Sequence, residues 1–436
     1  VKPVRNPATN AWLVLAACTL LSLGFWRWAK DVLVPAYSAK VAAAGKPIGN
    51  NSDLYPRWLG SRELLLHGRD PYSAEVTREI QTGFYGRPLD PQNPSDPKFQ
   101  ESFVYPLYAA FLLSPTVNLP FATVTEIFRW LLLTAIACSV PLWAYAVGLR
   151  RSGPIVLSGM LLAMSSYPAL EEYSQQNLSA LVIFFLAAAA AAAVRNRPAL
   201  SGFLLALATV KPDITGPMVL WFLLWAVARW KQRSRLIWSF TATMAALLAG
   251  AEAMSPHWIG RFAAALREYP AYGTDPSILQ VLLPAFLARL AEASLIIALM
   301  VVCWRWRAAT PGSRHFGAAL AWVGSATLVF LPKQAAYNQL LLIPALLVLL
   351  GWCGRMETFG LLPRALVKGA FACQIWQWLS ALVLCIVSFL IPAERLRVVA
   401  DAPLYTLLAL PPVTFLAILS VTFSAQAEEV PNPNGG

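Results

Sequence analysis

The chain has 436 residues, of which 58% are hydrophobic and 13% charged, with a net charge of +12. Soluble domains carry roughly a quarter charged residues, so a soluble enzyme, a disordered scaffold and a disulfide-framed secreted module are excluded. A polytopic membrane protein remains, in which the positive charge orients the chain and touches anionic lipid rather than nucleic acid.

Taken in chain order, Lys2 and Arg5 precede an apolar run that starts at Ala11 and continues past Cys18 to Trp28. A cleaved lipoprotein would turn polar after the cysteine, so the expectation is an uncleaved first span. Apolar windows and their punctuation predict about twelve spans, at 11–29, 122–148, 154–170, 177–194, 198–211, 212–228, 236–254, 279–304, 315–332, 337–353, 371–391 and 402–424. Residues 105–119 carry Pro106, Pro115 and Pro120 and read as a re-entrant or interfacial piece. The alanine run 187–193 reads as a tight helix contact. Residues 1–424 form one domain, and 425–436 a disordered cytoplasmic tail. The six cysteines are dispersed without a CxxC pair, so neither zinc nor disulfides are indicated.

With the N-terminus inside, the predicted inner loops carry Arg150, Arg151, Arg195, Arg197, Arg229, Lys231, Arg233, Arg235, Arg305, Arg307, Arg314, Arg355, Arg364 and Lys368. That obeys the positive-inside rule. Most acids and amides fall on the other side, in a long first outer loop (about 31–121) and in Glu171–Asn177, the Lys211 break, 255–277, Lys333–Asn338 and 394–401. The chemistry is therefore expected on the outer face.

The first outer loop holds an amphipathic stretch over 54–66, read as a helix along the bilayer surface, with Asp53 where an N-cap belongs. On chemistry alone Asp53 is either a cap or a catalytic carboxylate. Lys211, beside Pro212 at a break between two short spans, is either a snorkelling lysine or a phosphate ligand. Asp213 is placed to pair with it. Glu171 and Glu172, beside Gln175, Gln176 and Asn177, suit sugar hydroxyls and a solvated loop equally. His257 reads as an interfacial loop residue. Walker, HExxH and Gly-x-Ser-x-Gly signatures are missing, and no DxD carboxylate pair points to a metal.

Asp53-Leu54-Tyr55 followed by Leu66-His67-Gly68-Arg69-Asp70-Pro71-Tyr72 resembles the "D-x-x-x-Y…L-x-G-x-D-P-Y" opening of a bacterial family. That family is the polyprenyl-phosphate-mannose-dependent α-mannosyltransferases of the integral-membrane GT-C class, GT87 type. Tyr105-Pro106-Leu107 through Leu119-Pro120 resembles its "YPPL…P…LP" stretch. Gln176-Asn177 resembles its "GQ-x-N", and Gly202 to Lys211-Pro212 its "G…A…KP". The resemblance runs from about Asp53 to Leu350. Three departures stand out: Leu107 replaces the second proline, Gln175 replaces the glycine before Gln176, and Lys333–Asn338 lacks the family's late-loop histidine.

The resemblance implies an all-α polytopic GT-C fold in a bacterial cytoplasmic membrane, with the active site facing outward. The donor would be a polyprenyl-phosphate sugar and the acceptor a membrane glycolipid or glycan. Asp53 maps onto the family's base. Lys211, Arg57, Arg62 and Lys333 become candidates for the donor phosphate, and Asp70, Tyr72, Tyr105, Glu171, Glu172, Gln176, Asn177, His257 and Asn338 for substrate. No cofactor or metal is expected. A flippase of lipid-linked sugars is the alternative, but a transporter places ionisable groups near the midplane, often within inverted repeats. A membrane acyltransferase would need a histidine inside a span, and none of the three histidines fits.

Overall fold

The computed structural model describes residues 7–43, 52–90, 92–93, 96, 101–268, 276–331 and 335–429. Every regular element among them is helical. Helices α1 (Pro7–Trp28) and α2 (Val34–Ala43) are joined by a π-helical segment, Ala29–Leu33. The first outer loop then builds α3 (Leu54–His67), α4 (Ala74–Tyr85) and the short α5 (Ala109–Leu113). The bundle continues with α6 (Phe121–Ala146), α7 (Gly153–Met164), α8 (Tyr167–Gln175), α9 (Ser179–Val194), α10 (Pro198–Ala208), α11 (Pro212–Val227) and α12 (Trp230–Met254). Helices α13 (Trp258–Glu268), α14 (Ile278–Leu282), α15 (Ala285–Arg305), α16 (Arg314–Phe330), α17 (Ile343–Trp352), α18 (Leu361–Val387), α19 (Ala393–Leu396) and α20 (Leu410–Glu429) complete it.

This is a multi-pass membrane architecture. Among the described residues six helices are long and apolar enough to cross a membrane, or seven if the bent pair α7–α8 is one span. Helices α9, α10 and α11 are apolar but shorter. Several predicted spans are subdivided, and each break has a local cause. The 154–170 window bends by 54° where Ser166 caps α8 and Pro168 occupies its first turn. The 279–304 window breaks at Leu283–Pro284. The 337–353 window starts as a 3-10 segment, Ala336–Leu342. The predicted disordered tail is helical over 425–429, because Ala-Gln-Ala-Glu-Glu are good helix formers. Residues 430–436 lie outside the described part.

Helix α3 departs from its expected role. Leu54, Trp58, Leu59 and Leu64 are spread around the helix rather than confined to one stripe. They enter the main core, so α3 packs within the protein instead of lying along a bilayer surface. Residues 105–119 form only α5 and a 3-10 turn, too short to span.

The alanine run does mark close packing. Ala187 and Ala189 to Ala193 are buried, where α9 meets α6 and α10. Helix α10 comes closer still to α12: a Cβ on Gly202 would sit 2.1 Å from the Leu236 carbonyl oxygen. Only glycine fits there.

The loops sort to two ends. Arg151 donates to Leu350 O, and Arg233 reaches the carbonyls of Arg307 and Ala309, which gathers the basic loops at one end. At the other end the start of α6 meets α3, with Phe121 packed edge-on against Tyr55 and 5.1 Å from Trp58. The 26 residues of α6 separate these ends by about 39 Å at 1.5 Å per residue.

Gly202→Ala should lower the melting temperature in detergent by the equivalent of about 1–3 kcal/mol, as overpacked cores do. Gly216→Ala, where an added Cβ meets nothing within 4 Å, should leave it unchanged or raised. Equal behaviour of the two variants would contradict the close α10–α12 contact.

Candidate active site

At the end opposite the basic loops, four chain breaks converge: the start of α3, the α8–α9 turn, the α10–α11 break and the 3-10 segment Ala336–Leu342. Each leaves side chains at a helix terminus, where backbone groups are only partly satisfied.

Asp53 stands at the N-cap position of α3 but makes no capping bond. Ser52 Oγ takes that duty by accepting from Leu54 N at 3.3 Å. The Asp53 carboxylate is thereby released. Its Oδ2 accepts from Asn177 Nδ2 at 2.7 Å and from the Tyr337 hydroxyl at 3.2 Å. Oδ1 lies 4.0 Å from the Arg57 guanidinium, which also donates to the Asp53 carbonyl. The carboxylate side chain is 25% exposed, so it is held and still accessible.

Lys211 is buried behind it. Its Nζ donates to Asn177 Oδ1 at 2.8 Å, Ser179 Oγ at 2.5 Å and Asn338 Oδ1 at 3.2 Å, which uses all three N–H groups. The ammonium also lies 4.6 Å from the centre of the Tyr337 ring. Among the described residues no carboxylate comes within ion-pair distance of Lys211, so the expected pairing with Asp213 is not formed.

Asn177 connects the two charges. Its oxygen accepts from Lys211 and from both the N–H and the hydroxyl of Ser179. Its nitrogen donates to Asp53 and to the Tyr337 hydroxyl at 3.1 Å. A flipped amide would aim N–H at the lysine and oxygen at the carboxylate, so the network fixes the orientation.

A second tier surrounds this centre. The Arg57 guanidinium lies 4.8 Å from the centre of the Tyr105 ring, and the Tyr105 hydroxyl is 3.4 Å from Asn177 Oδ1. The Tyr72 hydroxyl donates to the Tyr105 carbonyl at 2.7 Å. Burial, reinforced by nearby Asp70, pushes the Tyr72 phenol up, so it stays a neutral donor. Asp70 accepts from Tyr72 N and pairs with Arg261 of α13 at 3.1 Å.

Several sequence candidates hold the scaffold rather than face open space. Glu171 Oε2 accepts from Tyr337 N at 2.7 Å. Glu172 is buried, and its Oε1 accepts from Ala180 N at 2.6 Å, at the positive end of α9. Gln176 is buried in a left-handed turn, with its amide bonded to Ser52, Tyr173 and Ser174. Arg62 turns to Trp58, 5.5 Å from the ring centre. His257 is exposed; its backbone N–H donates to Glu252 Oε1 and its carbonyl accepts from Gly260 N. Lys333 lies outside the described residues.

Sequence reasoning missed Ser52, Ser179 and Tyr337. Tyr337 adjoins the chosen Asn338, and Ser179 follows Asn177 by two residues. The signal was therefore the polar content of the same breaks. Ser52 gave no signal, because Asp53 looked the better cap.

A multi-pass helical bundle whose helix breaks bring an accessible carboxylate together with buried amides and a lysine is consistent with a GT-C type membrane glycosyltransferase. The family model for glycosyltransferase family 87 matches residues 103–332, more than half of the chain, and the protein belongs to that family. The matched stretch contains Tyr105, Asn177, Ser179 and Lys211, whereas Asp53, Arg57, Tyr337 and Asn338 lie outside it. No curated protein and no solved structure matches the chain.

In a double-mutant cycle, Asn177→Leu and Lys211→Met should be non-additive in stability, with a coupling of roughly 0.5–3 kcal/mol. Asn177→Leu alone should cost more than the pair, because it strands a buried ammonium. Additive melting-temperature shifts would show that the two side chains do not depend on each other.

Proposed function

We propose that the protein transfers a sugar, mannose in the first instance, from a polyprenyl-phosphate donor to a membrane glycolipid or glycan acceptor, with inversion and with Asp53 as general base. Membership of a glycosyltransferase family supplies the reaction class. The observation that carries the rest is the accessible Asp53 carboxylate, freed from capping and oriented by Asn177 and Tyr337.

The chemistry balances with one carboxylate. The acceptor hydroxyl oxygen attacks the anomeric carbon from the face opposite the phosphate. Its proton passes to Asp53, the anomeric C–O bond breaks, and its electron pair leaves on the polyprenyl phosphate. The leaving group departs as an anion, so no second acid is needed, unlike the paired carboxylates of hydrolases. A β-linked donor thus gives an α-linked product.

Negative charge gathers on the phosphate as the bond breaks and needs a cation beside it. Arg57 suits that role: it adjoins Asp53 and is held against Tyr105. Lys211 was the first candidate for the phosphate, but its three donors are engaged inside the protein. Its role in this reading is to fix Asn177 and to offset the charge of Asp53 from behind. Tyr105, beside Arg57, with Tyr72 bonded to its carbonyl and Asp70 to the Tyr72 N–H, is assigned with them to the sugar side. Beside Asn338, Gln339 borders a cavity of about 170 Å³ lined by Leu162, Ile343, Leu346, Trp378 and Leu410, apolar enough for isoprene units.

In this reading Asp53 faces the exoplasmic side of a bacterial cytoplasmic membrane, which the gathering of the basic loops at the far end supports under the positive-inside rule. The acceptor would then be met in the outer leaflet. The reaction is proposed to need no metal and no cofactor.

Reconstituted protein given a polyprenyl-phosphate sugar and a membrane acceptor extract should release polyprenyl phosphate. Asp53→Asn should reduce turnover at least 10³-fold, about 4 kcal/mol in barrier height, without shifting the melting temperature by more than a few degrees. A chelator should leave the rate unchanged. Turnover retained in Asp53→Asn would remove Asp53 from the base role. Labelled lipid crossing liposomes with no sugar transferred would favour the flippase.

A further inference from the structure

At the basic end, about 39 Å along α6 from Asp53, a cavity of about 210 Å³ opens between the C-terminal end of α6, the first turn of α16 and the C-terminal end of α17. Its walls include Gly148, Leu149 and Gly317, and its rim is formed by Arg314, Trp352 and Arg355. We propose that this cavity is a binding site for a phosphate ester, held between the Arg314 and Arg355 guanidiniums.

Three observations support this. First, the two arginines converge on one ring: Arg314 lies 5.5 Å and Arg355 5.9 Å from the centre of Trp352. Stacking on an aromatic face uses the flat side of a guanidinium and leaves its N–H edge directed outward. Second, among the described residues neither guanidinium has a carboxylate within 4 Å. Elsewhere in the chain, arginines such as Arg69 and Arg87 are paired with acids. Two like charges pointed at one cavity repel, and an anion between them removes that cost.

Third, glycine backbone forms part of the cavity wall, at Gly148, Gly317 and Gly351. Gly148 and Gly312 both have positive φ, at 75° and 74°, and a Cβ on Gly148 would approach the Gly312 carbonyl oxygen to 3.0 Å. These turns bring the α6 and α16 ends together without filling the space. The first turn of α16 adds the positive end of a 17-residue helix. The volume is below that of a typical drug-sized pocket and suits a headgroup.

A phosphodiester lipid headgroup and a soluble phosphate ester share this chemistry. Trp352 at a helix end fits a site at the membrane–water boundary. The site lies at the opposite end of the bundle from Asp53, so it is independent of the proposed reaction.

Native mass spectrometry of the full chain released from neutral detergent tests the idea. With phosphatidylglycerol the wild type should retain one lipid, and with phosphatidylcholine none. The double substitution Arg314→Gln, Arg355→Gln should weaken retention at least tenfold, and Arg305→Gln, outside the cavity, should not. If the double variant fails to fold, Arg355→Lys serves instead, because it keeps the charge but loses the fork geometry and should bind more weakly. Retention of glycerol phosphate with the same arginine dependence, in place of the lipid, would assign the site to a soluble phosphate ester. Equal retention by the wild type and the arginine variants, or none by the wild type with either ligand, would overturn the proposal.

Discussion

The structure turns on a buried cation, Lys211, that among the described residues has no carboxylate within ion-pair distance. Lys211 is 6% exposed and its ammonium rests on three neutral oxygens. Burying an ammonium is tolerable only when every donor is satisfied. The three acceptors come from two breaks remote in sequence: Asn177 and Ser179 follow α8, while Asn338 precedes α17. The lysine therefore ties three breaks into one centre, its own included. Asn177 cannot satisfy it without turning its own N–H groups outward, and Asp53 stands where they point. The geometry proposed for catalysis is in this sense a by-product of solvating one charge inside a membrane protein.

The same constraint explains the pattern of broken helices. Non-helical backbone within a bundle persists only where protein covers it. Here Glu171 accepts from the Tyr337 amide and the Gln176 side chain from Ser52, each joining two breaks, while Glu172 closes the α8–α9 break on itself by accepting from the Ala180 amide. Glu171 and Glu172, candidates for sugar hydroxyls, each accept a backbone hydrogen bond at these breaks. Asp53 differs because Ser52 has relieved it of structural duty, which leaves a carboxylate that is oriented and still 25% exposed.

Much of this was legible in the sequence, and the limits are instructive. The all-helical class follows from composition, and the two ends of the bundle from the arginine distribution. Lys211 stood out because a charge beside a proline between apolar runs is costly unless used, whereas Asp53 and Asn177 stood out through the family resemblance and Asn338 through its polar outer loop. What could not be read was how those groups pair. Lys211 next to Asp213 suggested a local ion pair, yet its hydrogen bonds run to residues 34 and 127 positions away. Helix α3 looked amphipathic by its residue types, but its apolar positions circle the helix, and only the surrounding core reveals that. Span boundaries slipped where a serine cap or a proline bends a continuous apolar window, as at Ser166.

The central claim is that the Asp53 carboxylate, held by Asn177 and Tyr337, meets the acceptor hydroxyl next to a lipid-borne anomeric carbon. A structure with a non-cleavable polyprenyl-phosphonate sugar and the acceptor bound tests it most directly. The account predicts an acceptor oxygen within roughly 2.6–3.2 Å of Asp53, poised about 3–3.5 Å from the anomeric carbon, with the phosphonate beside Arg57. A bound donor whose sugar lies away from Asp53, with a different carboxylate at the acceptor hydroxyl, would contradict it.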